Sequence, residues 1–120
     1  SSFRMRKIEI DIRGPKVVGV GSRPFLFLNA INLGIGRFFA SNATDGVVVR
    51  VDGDDADIDR YVELVRSAFP DHAEVDGIEV ADYEGKVMEA SLFLQLLQLE
   101  MIEICTSALL RRREQEPSSP

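Results

Sequence analysis

Residues Val17-Val18-Gly19-Val20-Gly21-Ser22-Arg23 are the segment of this 120-residue chain best suited to chemistry. Small residues let consecutive backbone N–H groups turn inward around one anion, and a helix starting just afterwards adds its positive end. Arg23, at that helix start, brings a guanidinium that can grip a phosphate through two parallel hydrogen bonds. From spacing alone two readings stay open. The segment is either an anion cradle or a tight strand-to-helix turn with Arg23 as a solvated charge, and a lone glycine-rich loop does not separate them. Further along, Asn42-Ala43-Thr44-Asp45-Gly46 ends in an Asp-Gly pair that suits a tight turn between two strands.

Other reactive groups are few. One cysteine, Cys105, and one histidine, His72, exclude an intrachain disulfide, a multi-cysteine zinc site and a histidine pair. No metal and no cofactor is expected. His72 reads as a surface histidine in a loop after Pro70-Asp71, and Cys105, inside an apolar helix, as a packed thiol. Asp52, Asp54, Asp55, Asp57 and Asp59 lack the spaced ligands and closing glutamate of a calcium loop, so they read as a solvated acidic helix start. Fourteen basic against twenty acidic residues give a net charge of −6, the wrong sign for a general nucleic-acid binder. With 45% hydrophobic and 28% charged residues, the composition is that of one folded domain. No basic-then-apolar leader precedes the first strand, so the cytoplasm is the expected location.

The elements that must hold the segment follow from periodicity. Arg6–Arg13 alternates, with Ile8, Ile10 and Ile12 on one side and Lys7, Glu9, Asp11 and Arg13 on the other, a half-buried strand. Pro24 suits a first helical position, and the helix spans Arg23 to about Leu33, ended by Gly34 and Gly36. Arg37–Ser41 and Gly46–Asp52 are short strands. A helix capped by Asp54 or Asp55 carries Ile58, Val62, Val65 and Phe69 at helical spacing until Pro70. A last strand lies around 73–83. The order β-α-β-β-α-β predicts an α+β fold, a ferredoxin-like sandwich with an antiparallel sheet and two helices on one face. It is extended by a long C-terminal helix. Residues 6–84 are the expected domain, 86–113 the helical extension and 114–120 a polar tail.

Gly14 to Arg23, followed by Asn42-Ala43-Thr44-Asp45-Gly46, resembles the acylphosphatase pattern G-R-V-Q-G-V-x-F-R and N-x-x-D-G. Gly21-Ser22-Arg23-Pro24-Phe25 is similar to the G-F-R-P-F of the acylphosphatase-like domain in hydrogenase-maturation carbamoyltransferases. The resemblance covers residues 6–84. It implies that Val17, Val18, Gly19, Val20, Gly21 and Ser22 cradle a phosphate, that Arg23 is the catalytic arginine, and that Asn42 orients the attacking water. The implied reaction is metal-free hydrolysis of a small acyl phosphate to carboxylate and inorganic phosphate, chemistry in which positioning and charge stabilisation suffice. The sequence departs from the pattern after Glu84-Gly85, where a long helix stands in place of the family's short closing strand. A rival reading is a non-catalytic anion-binding or regulatory module that assembles through that helix.

The helix itself, SLFLQLLQLEMIEICTSALL over 91–110, is long enough to span a bilayer, but Glu100 and Glu103 lie at its middle. No membrane insertion is expected. Phe93, Leu97, Met101, Ile104 and Ala108 make one stripe and Leu92, Leu96 and Leu99 a second, so a homodimer or higher oligomer through this helix is expected. Arg111-Arg112-Arg113 complements the helix dipole.

Overall fold

The computed structural model describes residues 4–14, 22–68 and 77–115. Its elements are β1 (Met5–Arg13), α1 (Ser22–Asn32), β2 (Arg37–Ala43), β3 (Gly46–Asp54), α2 (Asp55–Ala68), β4 (Gly77–Asp82) and α3 (Ala90–Gln115). The chain divides into two units, residues 1–90 and 91–120. The first is the expected ferredoxin-like sandwich, a four-stranded sheet in the order β2-β3-β1-β4 with every neighbouring pair antiparallel.

Period-two alternation sets the register. Residues directly opposite one another share a face, so three rows cross the sheet on one side: Asn42–Val47–Ile12–Ile78, Ala40–Val49–Ile10–Val80 and Phe38–Val51–Ile8–Asp82. Ile8, Ile10, Ile12, Phe38, Ala40, Val47, Val49 and Val51 in these rows are buried. Each aliphatic side chain so covered contributes roughly 1.5–3 kcal/mol. A one-residue slip would move the whole set to the other face.

Helices α1 and α2 cover that side. α1 buries Leu26 and Ala30, and α2 buries Ile58, Tyr61 and Val65. The expected stripe on α2 named Val62 rather than Tyr61. It is Tyr61 that turns inward, where its hydroxyl donates to the Leu26 carbonyl at 2.8 Å and links the two helices. Burial pushes its phenol well above the ordinary tyrosine range. Phe27 of α1 meets Phe38 of β2 edge-on, centroids 5.4 Å apart.

The end of α1 is set by Gly34, whose φ of 86° places it in the left-handed region. Gly34 N–H donates to the Ile31 carbonyl at 2.9 Å and Ile35 N–H to the Ala30 carbonyl at 3.1 Å, the paired bonds of a Schellman cap. α2 opens with Asp55 and Asp57 in its first turn, favourable for the dipole. Arg6 pairs with Asp55 at 3.6 Å and with Asp59 at 2.8 Å, tying β1 to that turn.

The other edge of the sheet departs from expectation. Residues 86–89 are not helical. They run beside β2, where Phe38 N–H donates to the Met88 carbonyl at 3.0 Å and Arg37 forms an antiparallel bridge with Glu89. Ala90 N–H then donates to the Gly36 carbonyl at 3.0 Å as α3 begins. A single bridge therefore stands where the closing strand was expected to be lost to helix. The helix starts at Ala90 because residues 86–89 are used to cover the β2 edge.

In the second unit, α3 is long and apolar enough to cross a membrane by length and composition. Leu92, Leu96 and Leu99 are exposed, as is every residue from Ile102 to Gln115. Cys105, expected as a packed thiol, is among them. His72, Phe69, Pro70 and the tail after Gln115 lie outside the described residues.

Candidate active site

The site is built from the ends of β1, β2 and α1. β1 stops at Arg13, and buried Gly14 follows, its N–H donating to the Asp45 carbonyl at 2.7 Å. That bond ties the exit of β1 to the turn between β2 and β3. The turn residues are Thr44 and Asp45, flanked by the Ala43–Gly46 pair, and neither has a positive φ. The Asp45-Gly46 pair thus does not form the centre of the turn, as its composition suggested. Gly46 is the first residue of β3, and it is glycine for another reason. A Cβ there would meet the Ile12 carbonyl oxygen and lie 3.0 Å from the Arg13 Cα. Close approach of two backbones, not turn geometry, selects this residue.

Asn42 is the second-last residue of β2, exposed, in the row that continues through Val47 to Ile12. It stands on the helix-covered face at the end where β1 terminates. α1 reaches the same end by its N-terminus. The C-terminal cap of α1 lies at the opposite end, where the position of a Gly53 Cβ is 3.6 Å from Ile35. The helix of 11 residues runs back from there by about 16 Å. Ser22 and Arg23 are its first two residues. Arg23 is partly exposed while its Nε is buried, which holds the base of the guanidinium inside the fold. The topology therefore brings Arg23, Ser22 and Asn42 to one end and one face of the sheet. Val17, Val18, Gly19, Val20 and Gly21 connect β1 to α1 and lie outside the described residues.

A helix N-terminus and an arginine favour an anion, and an amide side chain at the same end of the sheet has both a donor and an acceptor to offer a water molecule. α1 is held firmly in place. Leu26 and Ala30 anchor it, Tyr61 bonds its backbone, and Asn29 Nδ2 donates to the Phe25 carbonyl at 2.8 Å. The sequence motifs pointed to Arg23 and Asn42, which the fold sets at one end of the sheet, but gave no account of the inward turn of Tyr61 or of the close approach at Gly46. The inward turn of Tyr61 had one faint signal, its i+3 spacing from Ile58.

Comparison with known proteins gives the family. Residues 8–92 match the family model described as Acylphosphatase. An acylphosphatase of Methanocella arvoryzae is 38% identical over 81 residues, which are 67% of this chain and 89% of that protein. Among solved structures, full-length HypF in its phosphate- and nucleotide-bound form has a TM-score of 0.62 and 28% identity, covering 72% of this chain but only 11% of HypF. An acylphosphatase from Bacillus subtilis is similar at a TM-score of 0.56 and 24% identity, covering 69% of this chain and 89% of that one. One from Coxiella burnetii is similar at 0.57 and 19%, covering 68% and 84%, so these last two speak for the fold alone. The matched span contains the Val17–Arg23 segment, Asn42 and the bridge at Glu89. This chain belongs to the acylphosphatase family, as an acylphosphatase-like hydrolase.

Proposed function

We propose that the protein hydrolyses small acyl phosphates to a carboxylate and inorganic phosphate. The family match across residues 8–92, which includes both Arg23 and Asn42, carries this reading. In it, the backbone N–H groups of Val17 to Ser22 and the Arg23 guanidinium hold the phosphoryl oxygens, and Asn42 orients a water in line with the leaving group. Water oxygen bonds to phosphorus as the bond between phosphorus and the acyl oxygen breaks, and the carboxylate departs with that electron pair. The water's proton passes to a phosphate oxygen. The anhydride is already activated, so no metal and no strong protein base is required. The cytoplasm is the proposed compartment.

The test is hydrolysis of benzoyl phosphate with inorganic phosphate as a competitive inhibitor. Arg23→Ala should lower kcat/KM by about a thousandfold, the scale of losing a charged transition-state partner. Equal turnover by wild type and Arg23→Ala would reject the reading.

A second reading concerns assembly. Residues 6–84 would act as the hydrolase domain, and α3 would pair with a second copy of the chain. Exposed Leu92, Leu96, Leu99, Ile102, Leu109 and Leu110 support it. Glu100 and Glu103 at the middle of the helix favour a protein partner over lipid. Light scattering at micromolar concentration should give a dimer or larger species, and flotation with vesicles should leave the protein behind. A monomer that floats with lipid would refute this reading.

A further inference from the structure

The face of the sheet opposite the helices carries a basic cavity that the hydrolase reading does not use. Arg37 and Phe39 of β2, Arg50 of β3 and Lys86, Val87 and Met88 line an open cavity of about 390 Å³. Three cations and no carboxylate line it, in a chain of net charge −6. Its size falls within the range of small-molecule pockets.

Two of the cations are held in place. Arg50 Nε donates to Glu9 Oε2 at 2.8 Å, and its guanidinium lies 4.5 Å from the Tyr83 ring centroid and 5.8 Å from that of Phe39. Arg37 Nη1 donates to the Val87 carbonyl at 2.9 Å, with Glu89 3.9 Å away. Guanidinium groups fixed by packing keep further N–H donors for a ligand without a large ordering cost. Lys86 has no hydrogen bond or ion pair among the described residues, so its ammonium remains available. Phe39, Val87 and Met88 supply an apolar wall beside these charges.

We propose that this cavity is a second ligand site, for a small organic anion with a carboxylate or phosphoryl head and an apolar body about the size of one aromatic ring. It is separate from the site of Arg23 and Asn42. Phe39 and Arg50 point to the opposite face from Asn42, and Arg37 begins the strand that Asn42 nearly ends. The short bridge at Glu89 is what creates the site, because it holds residues 86–88 against β2.

The experiment is an amide chemical-shift titration of the full chain carrying Arg23→Ala, which removes the principal anion ligand of the first site. Phenyl phosphate and benzoate are the two probes, with inorganic phosphate as comparison. The expected result is saturable shifts at residues 37, 39, 50 and 86–88 with at least one organic probe. Adding Lys86→Glu should weaken that binding by about tenfold or more, while Lys86→Arg should stay within about threefold, as expected for a charge-assisted contact. Lys86 makes no contact that the fold needs, so both variants should keep the parent's thermal unfolding. Shifts absent from these residues, an affinity unchanged by Lys86→Glu, or equal affinity for inorganic phosphate would each overturn the proposal. Because the parent already lacks Arg23, failure here leaves the hydrolase reading standing, and failure of hydrolysis leaves this one standing.

Discussion

The sandwich and the C-terminal helix use the same apolar residues to opposite effect. In β1, Ile8, Ile10 and Ile12 alternate with polar residues, in β3 Val47, Val49 and Val51 take every second position, and all six are completely buried. In α3, Leu92, Leu96, Leu99, Ile102, Leu109 and Leu110 are equally apolar and exposed. The difference lies in pattern. Every second position of a strand lies on one face, and that face can be covered within the chain by two helices. On α3 Phe93 and Leu97 are buried while apolar residues on its other sides stay exposed, so its apolar surface is wider than one face. The sandwich thus buries its apolar face within the chain, while α3 leaves much of its apolar surface exposed.

Four substitutions would break or sharpen that contrast. Ile10→Ala, at the centre of the middle row, should cost roughly 3–4 kcal/mol in denaturant unfolding, since it removes a transfer term and leaves a cavity. Gly46→Ala should come next, at about 2–3 kcal/mol, because its methyl group meets the β1 backbone, which cannot swing aside as a side chain would. Tyr61→Phe should cost about 1 kcal/mol, the net value of one buried hydrogen bond. Leu99→Gln should change unfolding of the isolated chain by less than about 0.5 kcal/mol. A loss at Leu99 as large as that at Ile10 would show that the two regions are not different in kind.

Tyr61 also gives the contrast a pH signature. Its folded pKa is raised, so the folded protein keeps the phenolic proton after the unfolded chain has released it at about pH 10. The stabilisation it provides is complete below that pH and lost above it. Unfolding free energy should fall by roughly 1 kcal/mol per pH unit beyond pH 10, beyond the slope of Tyr61→Phe. Identical slopes for the two proteins would contradict the burial of this hydroxyl.

Much of this was legible from residue order, for reasons that differ by region. β1 was readable because alternation is a local signal, β2 and β3 as short runs flanking a turn signal, and the turn at Gly34 because only glycine adopts its φ at no cost. Arg23 and Asn42 were singled out by a pair of motifs rather than by geometry, and their roles belong to the proposal. Three features were hidden because they depend on residues far apart in sequence. Gly46 answers to the Ile12 carbonyl, Tyr61 rather than Val62 is selected by the Leu26 carbonyl, and Lys86-Val87-Met88-Glu89 shows no alternation at all. Its place beside β2 is set by backbone bonds to Phe38 and a bridge to Arg37.

Separating the roles of Asn42 and Arg23 tests the account at its centre. The measurement is steady-state hydrolysis of benzoyl phosphate by wild type, Asn42→Ala and Arg23→Ala, each with inorganic phosphate as inhibitor. The predicted result is that Asn42→Ala loses kcat by about a hundredfold or more yet keeps the phosphate inhibition constant, since it acts on the water. Arg23→Ala should lose both. Wild-type turnover in Asn42→Ala, or phosphate inhibition that survives in Arg23→Ala, would contradict it.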